Sequence, residues 1–367
     1  MEADPESFEQ MSVDTTRDHE VFVILTGVSG NLGDAVIRRR VLEWSRPFGR
    51  VHAYVGRTTA GWVEELQMRP DEVVYGAAER REWLRRLLLG RGRRLLMLDP
   101  GEVPLGREHL KSEIMFLVIT ALLRLRGGHI FRPPRAVGGY DSLTAWFYRA
   151  SARISQTVLW RDRPSLERMR VGELTPDTAF AEPATAGSPF ESRDRLLITL
   201  RGKRPLPTAA TLAAVATFAK AQGLRIVTMA QVDEDEARCA EVAAQLGPDV
   251  AEYIPWGDRS DLDQENAIRR LYEDCAYVLS DRLHVLILAA KAGAVPVEVV
   301  PAPAAKIRTH FATIEYEGLS LDVAGLSTAA IVEFLSAQVG RHEEVVTKSA
   351  RAHDRLTSRV QRALAGR

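Results

Sequence analysis

The chain has 367 residues, of which 46% are hydrophobic, so it is long enough for about two domains with sizeable cores. Its 49 basic and 49 acidic residues balance, which argues against nucleic acid as a partner. The two cysteines, Cys239 and Cys275, fall inside predicted helices without ligand-like spacing. We therefore expect no disulfide framework, no metal site and a cytoplasmic protein.

Residues 1–20 are polar and acidic and predict a mobile tail. From residue 21 onward, short β-rich runs alternate with helical patterns, which is typical of parallel sheets covered by helices. The first half, 21–180, is predicted to form one domain. Its predicted strands are 21–26, 50–55, 72–75, 94–98, 129–131 and 157–160.

Residues 181–194 are rich in Pro and small side chains and predict a linker. The alternation then restarts and predicts a second domain over 195–325, followed by helices over 326–367 that could pack on either domain. The predicted fold is α/β, with two Rossmann-like doubly wound sheets and a cleft between them. The second domain has predicted strands at 196–200, 225–229, 252–255, 277–280 and 295–300, and helices at 208–222, 233–245, 262–274 and 283–292.

Three glycines, Gly27, Gly30 and Gly33, follow the first predicted strand with the spacing of a dinucleotide-binding loop. No tyrosine in the chain has the Lys four residues on that a short-chain dehydrogenase requires, which argues against nicotinamide. A simpler interpretation is a tight turn, with Asn31 in a left-handed conformation and Asp34 capping the helix.

Four segments together resemble the polysaccharide pyruvyl transferase family. They are GNLGDAVI at 30–37, LWRDRPSL at 159–166, PDTAF at 176–180, and SDRLH at 280–284 followed by GAVP at 293–296. The resemblance extends over residues 24–314, and the Arg-Leu-His segment is its most specific part. It implies a fold similar to GT-B glycosyltransferases and transfer of a pyruvyl unit from phosphoenolpyruvate onto a sugar diol as a cyclic ketal. The implied acceptor is a glycan or a lipid-linked saccharide, with no cofactor besides phosphoenolpyruvate as co-substrate.

Charged residues follow the predicted strands of the second domain, where open parallel sheets bind ligands. Arg201 and Arg282 are candidates for a clamp on the phosphate and carboxylate of the donor, since guanidinium groups bind both in bidentate fashion. His284 is the candidate acid, and Lys306 could complement the leaving phosphate. The alternatives are a surface position for Arg201 or Lys306, and an ion pair between Arg282 and its neighbour Asp281.

The first domain supplies the acceptor side of this predicted site. Asp34 is a candidate base for a sugar hydroxyl, Asn31 could orient the diol, and Arg161 could reach the ligand across the cleft. The alternative for Arg161 is a surface position. Gly30 and Gly33 are predicted to let the backbone approach the substrate.

The stretch 80–94 is strongly basic and partly amphipathic. It could rest on anionic lipid at the inner face of the membrane, or be a helix with one solvated face. The apolar run 114–123 is predicted to be a core helix. The sequence does not indicate an oligomeric state.

Two other functions remain open. A nucleotide-sugar glycosyltransferase would share the predicted architecture. A non-catalytic glycan-binding or assembly subunit could keep the scaffold, and Arg132 and Arg135 depart from the family pattern at 127–135, where a glycine-rich turn is usual.

Overall fold

A computed structural model describes residues 19–90, 92–185 and 187–365. They form two α/β domains, each with a parallel sheet covered by helices, so the predicted fold class is confirmed. Most of the predicted tail lies outside the described residues, but Glu20 already belongs to the first strand.

The N-terminal domain contains an eight-stranded sheet with the strand order β3-β2-β1-β4-β6-β7-β8, and β5 pairs with β6. Chain order reverses at β1, which leaves a crevice between the carboxyl ends of β1 and β4. The strands are β1 (Glu20–Ile24), β2 (Arg50–Gly56), β3 (Val73–Gly76), β4 (Arg94–Met97), β5 (Gly101–Pro104), β6 (His129–Gly138), β7 (Thr157–Trp160) and β8 (Glu173–Leu174). The helices are α1 (Leu32–Ser45), α2 (Ala60–Glu65), α3 (Arg80–Leu89), α4 (Leu110–Leu125), α5 (Ser142–Arg153) and α6 (Arg163–Met169).

The C-terminal domain contains a six-stranded parallel sheet with the order β11-β10-β9-β12-β13-β14. Its reversal lies at β9, so the crevice opens between the carboxyl ends of β9 and β12. The strands are β9 (Arg195–Thr199), β10 (Arg225–Thr228), β11 (Ala251–Tyr253), β12 (Cys275–Ser280), β13 (Val295–Val300) and β14 (Ser320–Asp322). The helices are α7 (Ala209–Ala221), α8 (Glu236–Leu246), α9 (Asp261–Asp274), α10 (Leu283–Lys291), α11 (Ala305–Phe311), α12 (Thr328–Ser336) and α13 (His342–Ala365).

The sequence missed three short strands, β5, β8 and β14, and placed Cys275 wrongly in a helix. β5 alternates buried and exposed residues over only four positions, and β8 and β14 are edge strands of two and three residues. Runs this short carry little periodicity of their own. Cys275 begins β12, every residue of which is buried between helical layers.

Helix α13 connects the two domains. Val345 and Ala352 pack in the core beneath α10, whereas Leu356, Val360 and Leu364 pack in the core of the N-terminal domain. Helix α13 therefore packs on both domains and holds the two domains together.

The apolar run of α4 is only half buried, which corrects the prediction of a core helix. Ile119 and Leu123 are buried, but Ile114, Val118 and Leu122 on the opposite face are exposed. Among the described residues, no helix is long and apolar enough to cross a membrane.

Candidate functional site

A cavity of about 310 Å³ lies in the cleft, at the carboxyl ends of strands from both domains. Seven residues singled out in the sequence line it, because the crevices at β1 and at β9 face each other. The lining is Asn31, Asp34, Arg38, Gly101, Glu102, Arg161, Arg201, Gln231, Arg282, Leu283, His284 and Lys306. Five of these side chains are cationic and two are acidic, so the wall favours a small anion.

The glycine loop packs closely against the C-terminal domain. A Cβ atom at Gly33 would lie 2.6 Å from the Cβ of His284, and Gly30, with φ of +78°, faces the carboxyl group of Asp233. The N–H of Gly30 donates to Asp261 Oδ2 at 3.1 Å. The structure therefore gives Gly30 and Gly33 a packing role, and a contact of their backbone with substrate stays a prediction.

Asn31 and Asp34 lie at the start of α1 on the cavity wall. Asn31 is the N-cap residue with φ of −121°, so the expected left-handed conformation is wrong, and its side chain makes no capping hydrogen bond. Asp34 sits in the first turn and is not the cap. Its carboxylate lies 3.7 Å from Arg38 Nη1, which leaves it facing the cavity beside a cation.

His284, near the start of α10, lies between two carboxylates. Its Nδ1 is 3.9 Å from Asp34 Oδ1, and its Nε2 is 3.7 Å from Asp177 Oδ1. Nε2 is buried and has no hydrogen-bond partner among the described residues. The imidazole ring is therefore flanked by one carboxylate from each side.

Asp177 is fully buried behind His284 and forms an ion pair with Arg161 at 2.6 Å. It also accepts the N–H of Ala179 at 2.8 Å. Burial disfavours its charge, but Arg161 and His284 outweigh that effect and hold the pKa of Asp177 well below its usual range. Arg161 is buried as well, so it orients Asp177 instead of standing at the surface.

Asp281 anchors the guanidinium groups that follow β9. It is buried, accepts the N–H of Arg201 at 2.9 Å, and lies 3.2 Å from Arg204 Nε. The guanidinium group of Arg201 itself lies 4.0 Å from the Asp281 carboxylate and reaches the cavity. Burial lowers the pKa of Arg201, and Asp281 offsets this only in part. An anion in the cavity would compensate for the cost of burying the guanidinium charge.

Arg282 is paired with Asp235 and Glu234 and not with its neighbour Asp281. Its Nε and Nη2 donate to the two oxygens of Asp235 at 2.6 and 2.7 Å, and Nη2 also donates to Glu234 at 3.0 Å. Burial lowers the pKa of Arg282, but these carboxylates raise it by more, so the pKa lies above its ordinary value. Arg282 thus has fewer free donors for a ligand than the sequence suggested.

Lys306 reaches across the cleft, and its Nζ lies 3.0 Å from Glu102 Oε2. Both side chains are partly exposed, so water screens this pair. Glu102 was not predicted as a site residue because the strand that carries it, β5, was not predicted. Arg38 and Gln231 were missed too, although one follows Asp34 by a helical turn and the other lies just beyond β10.

A second cavity of about 290 Å³ lies within the N-terminal domain, beyond the ends of β1, β2 and β4. Its lining includes Trp83, Phe116 and Ile119. Arg135, which departs from the family pattern, lies here and bonds to Asp99 at 2.6 Å. Glu113 is buried beside it; burial raises the pKa of Glu113, partly offset by Arg135.

The fold and this cleft define a two-domain protein of the GT-B type. The chain is similar to Anabaena Alr3699/HepE in complex with UDP (TM-score 0.55, 10% identity, 95% of this chain and 98% of that one). It is also similar to S. aureus MnaA with UDP (TM-score 0.54, 11% identity, 95% and 97% coverage) and to a putative UDP-N-acetylglucosamine 2-epimerase from Listeria monocytogenes (TM-score 0.53, 13% identity, 90% of each chain). At these identities the likeness shows the fold alone. No protein-family model and no curated protein sequence matches the chain.

Proposed function

We propose that the chain is a phosphoenolpyruvate-dependent ketal pyruvyl transferase acting on a glycan or its precursor. The observation that carries this proposal is the cleft cavity, in which five cationic side chains surround a histidine placed between two carboxylates. Phosphoenolpyruvate is a small donor with a phosphate and a carboxylate, and the cavity matches it in size and charge.

In the proposed complex, Arg201 of the second domain and Lys306 of α11 bind the carboxylate or the phosphate of the donor. Arg282 contributes mainly as a positioning residue, since Asp235 and Glu234 hold its guanidinium group at the turn that carries His284. These residues belong to the C-terminal domain, and Arg38 and Arg161 add positive charge from the N-terminal side of the cavity.

The first chemical step forms a carbon–oxygen bond at C2 of the donor. His284 gives a proton to the terminal methylene, which becomes a methyl group, as an acceptor hydroxyl adds to C2. Asp34, 3.9 Å from His284, accepts the hydroxyl proton. Asp177, 3.7 Å from Nε2 of His284, provides a negative charge behind the ring in this step.

The second step breaks the bond between C2 and the phosphate oxygen. Phosphate leaves toward Lys306 and takes up the proton held by Asp34, the second hydroxyl of the acceptor adds to C2, and its proton passes to the neutral His284. The products are the cyclic ketal and inorganic phosphate. The histidine ends the cycle protonated, as it began.

The N-terminal cavity is the proposed acceptor side. Aromatic side chains such as Trp83 and Phe116 cover the apolar faces of sugar rings, and Arg135 and Glu113 offer groups for hydroxyls. This extends the acceptor side beyond Asn31 and Asp34.

A nucleotide-sugar glycosyltransferase is the second candidate, and the specific observation favouring it is that similar folds were solved with UDP. A ligand that binds only the folded protein raises its thermal stability, which separates the candidates. We expect phosphoenolpyruvate to raise the melting temperature and UDP or GDP to leave it unchanged. Stabilisation by a nucleotide alone would favour the second candidate.

The activity test measures phosphate released from phosphoenolpyruvate with methyl pyranosides that carry neighbouring free hydroxyls. We expect His284→Ala to lower turnover by about 10²–10⁴-fold, since it removes the proposed acid. Arg225→Ala is the matched control, because Arg225 lies in an exposed pair with Asp194. Turnover by His284→Ala equal to that of the control would contradict the proposed site.

A further inference from the structure

Helices α4 and α5 present a large apolar surface to solvent. Thirteen large hydrophobic side chains are exposed among the described residues, and seven of them come from residues 114–146. These seven are Ile114, Val118, Leu122, Leu125, Tyr140, Leu143 and Trp146. We call the exposed side of these two helices the α4–α5 face. Scattered exposed apolar residues are common in proteins, but a contiguous group of this kind marks a contact surface.

The spacing of these residues places them on one face of each helix. On α4, residues 114, 118, 122 and 125 lie within one helical stripe, opposite the buried Ile119 and Leu123. On the neighbouring α5, Trp146 is 54% exposed, and its ring lies edge-on to Phe147 at 4.9 Å. Burying either ring further would remove apolar area from water.

Positive charge predominates around this stripe, although Glu108 and Asp141 lie just before the two helices. Lys111, Arg124 and Arg126 are exposed on or next to α4, and Arg153 is exposed at the end of α5. The one acidic residue within these helices, Glu113, is buried beside the N-terminal cavity. The α4–α5 face is therefore apolar at its centre and basic at its edge, in a chain whose total charge is zero.

We propose that the α4–α5 face docks on the surface of an anionic lipid bilayer. Apolar side chains enter the boundary between headgroups and acyl chains, tryptophan suits that boundary, and Lys and Arg side chains bind the anionic headgroups. A two-fold contact with a second copy fits less well, because it would bring the same basic edge against itself with no exposed carboxylate from these helices to meet it.

This surface differs from the one that the sequence indicated. The basic stretch from residue 80 splits into α3 and the start of β4, where Arg94 is buried and donates to the carbonyl of Leu87. Exposed apolar residues are concentrated on α4 and α5 instead. Helix α4 also lines the N-terminal cavity with Met115 and Phe116, so docking sets that cavity within about one helix diameter, ~10 Å, of the lipid. Docking does not depend on the proposed activity.

The test is sedimentation of the full chain with vesicles. We expect binding to phosphatidylcholine vesicles that contain about a third phosphatidylglycerol, and weak binding to phosphatidylcholine alone. The double variant Val118→Glu, Leu122→Glu should lower the partition coefficient by at least about tenfold, because it places acids on the apolar stripe. The matched control is Val339→Glu, Val346→Glu, which alters two exposed valines of the C-terminal region.

A charge variant tests the edge of the surface. Arg124→Gln, Arg126→Gln should weaken binding to the anionic vesicles and reduce its dependence on salt, whereas Arg351→Gln, Arg362→Gln on α13 should not. Equal binding to both kinds of vesicle, or no binding by the wild-type chain, would overturn the proposal. So would a dimer, detected by light scattering without lipid, that the Val118 and Leu122 substitutions dissociate.

Discussion

The two cavities are close in volume, about 310 Å³ in the cleft and about 290 Å³ in the N-terminal domain, but the second has many more apolar side chains in its lining. In the cleft, charges face one another across two domains and Leu283 is the one apolar side chain. In the N-terminal domain, aromatic and aliphatic side chains line the cavity together with polar and charged ones such as Asp99, Glu113 and Arg135. We therefore expect charge to select the ligand in the first cavity, and apolar contact combined with hydrogen bonds to select it in the second.

The largest effect should come from the buried ion pair behind the cleft. Asp177→Asn leaves the buried Arg161 without a counter-charge, so we expect a loss of about 3–5 kcal/mol in the free energy of unfolding. Glu113→Gln in the other cavity should cost less than about 1 kcal/mol, because burial already favours its neutral form. Urea denaturation measures both. Equal losses would show that the two cavities do not differ in how they hold charge.

The next effect is on donor binding. Arg201→Ala should weaken binding of phosphoenolpyruvate by about 1.5–3 kcal/mol, roughly 10- to 150-fold, since one charge-assisted interaction is lost. Arg80→Ala, at the N-terminal cavity, should leave the Kd unchanged. Titration calorimetry gives the two constants. A weaker Kd in Arg80→Ala than in Arg201→Ala would move the donor to the other cavity.

Helices α1 and α10 pack so closely at Gly33 that no side chain should be accepted there. Gly33→Ala places a Cβ 2.6 Å from that of His284, so we expect about 1–3 kcal/mol of destabilisation and slower phosphate release. At Gly61 in α2, where an added Cβ makes contacts of 3.4 Å or more, alanine should be neutral or slightly stabilising. Thermal unfolding of the two variants makes the comparison. Equal melting temperatures would contradict the close approach.

Acid should lower the free energy of unfolding through His310, which is buried in α11. Burial, followed by Arg161, lowers the pKa of His310 to about 3 from an ordinary 6.5. The unfolded chain therefore binds more protons, and stability falls as pH decreases from about 6.5 toward 3. His310→Gln should make the slope of unfolding free energy against pH shallower between about pH 6.5 and 5. His109→Gln, at a partly exposed histidine outside the cleft, is the control for replacing a histidine by glutamine.

The smallest effect belongs to the exposed pair that crosses the cleft. Lys306→Met should change the free energy of unfolding by less than about 1 kcal/mol, because water screens its pair with Glu102. Phosphate release from phosphoenolpyruvate should slow much more than stability changes, since the proposed role of Lys306 is at the leaving phosphate. Glu102→Gln serves as the control that breaks the same pair without removing the cation.

Much of the fold could be predicted from sequence because long apolar runs alternate with helical patterns. Both sheets and every strand longer than four residues have counterparts among the predicted runs, whereas β5, β8 and β14 do not. The rule that ligands lie beyond strand ends also indicated His284 and Arg201. Asp177 was visible only as part of a motif, since nothing local shows that a buried carboxylate 107 positions earlier in the chain lies behind His284.

The alternation of strands and helices could be read from the chain alone, and with it which charged residues follow the strands. Local periodicity suffices for that, since the apolar residues of each element repeat with the period of its buried face. Packing between distant elements sets the contact of Gly33 with His284, the pairing of Arg282 with Asp235 and not Asp281, and the exposure of one side of α4. Those facts depend on contacts between distant elements, which the packing of the two domains sets and no local pattern encodes.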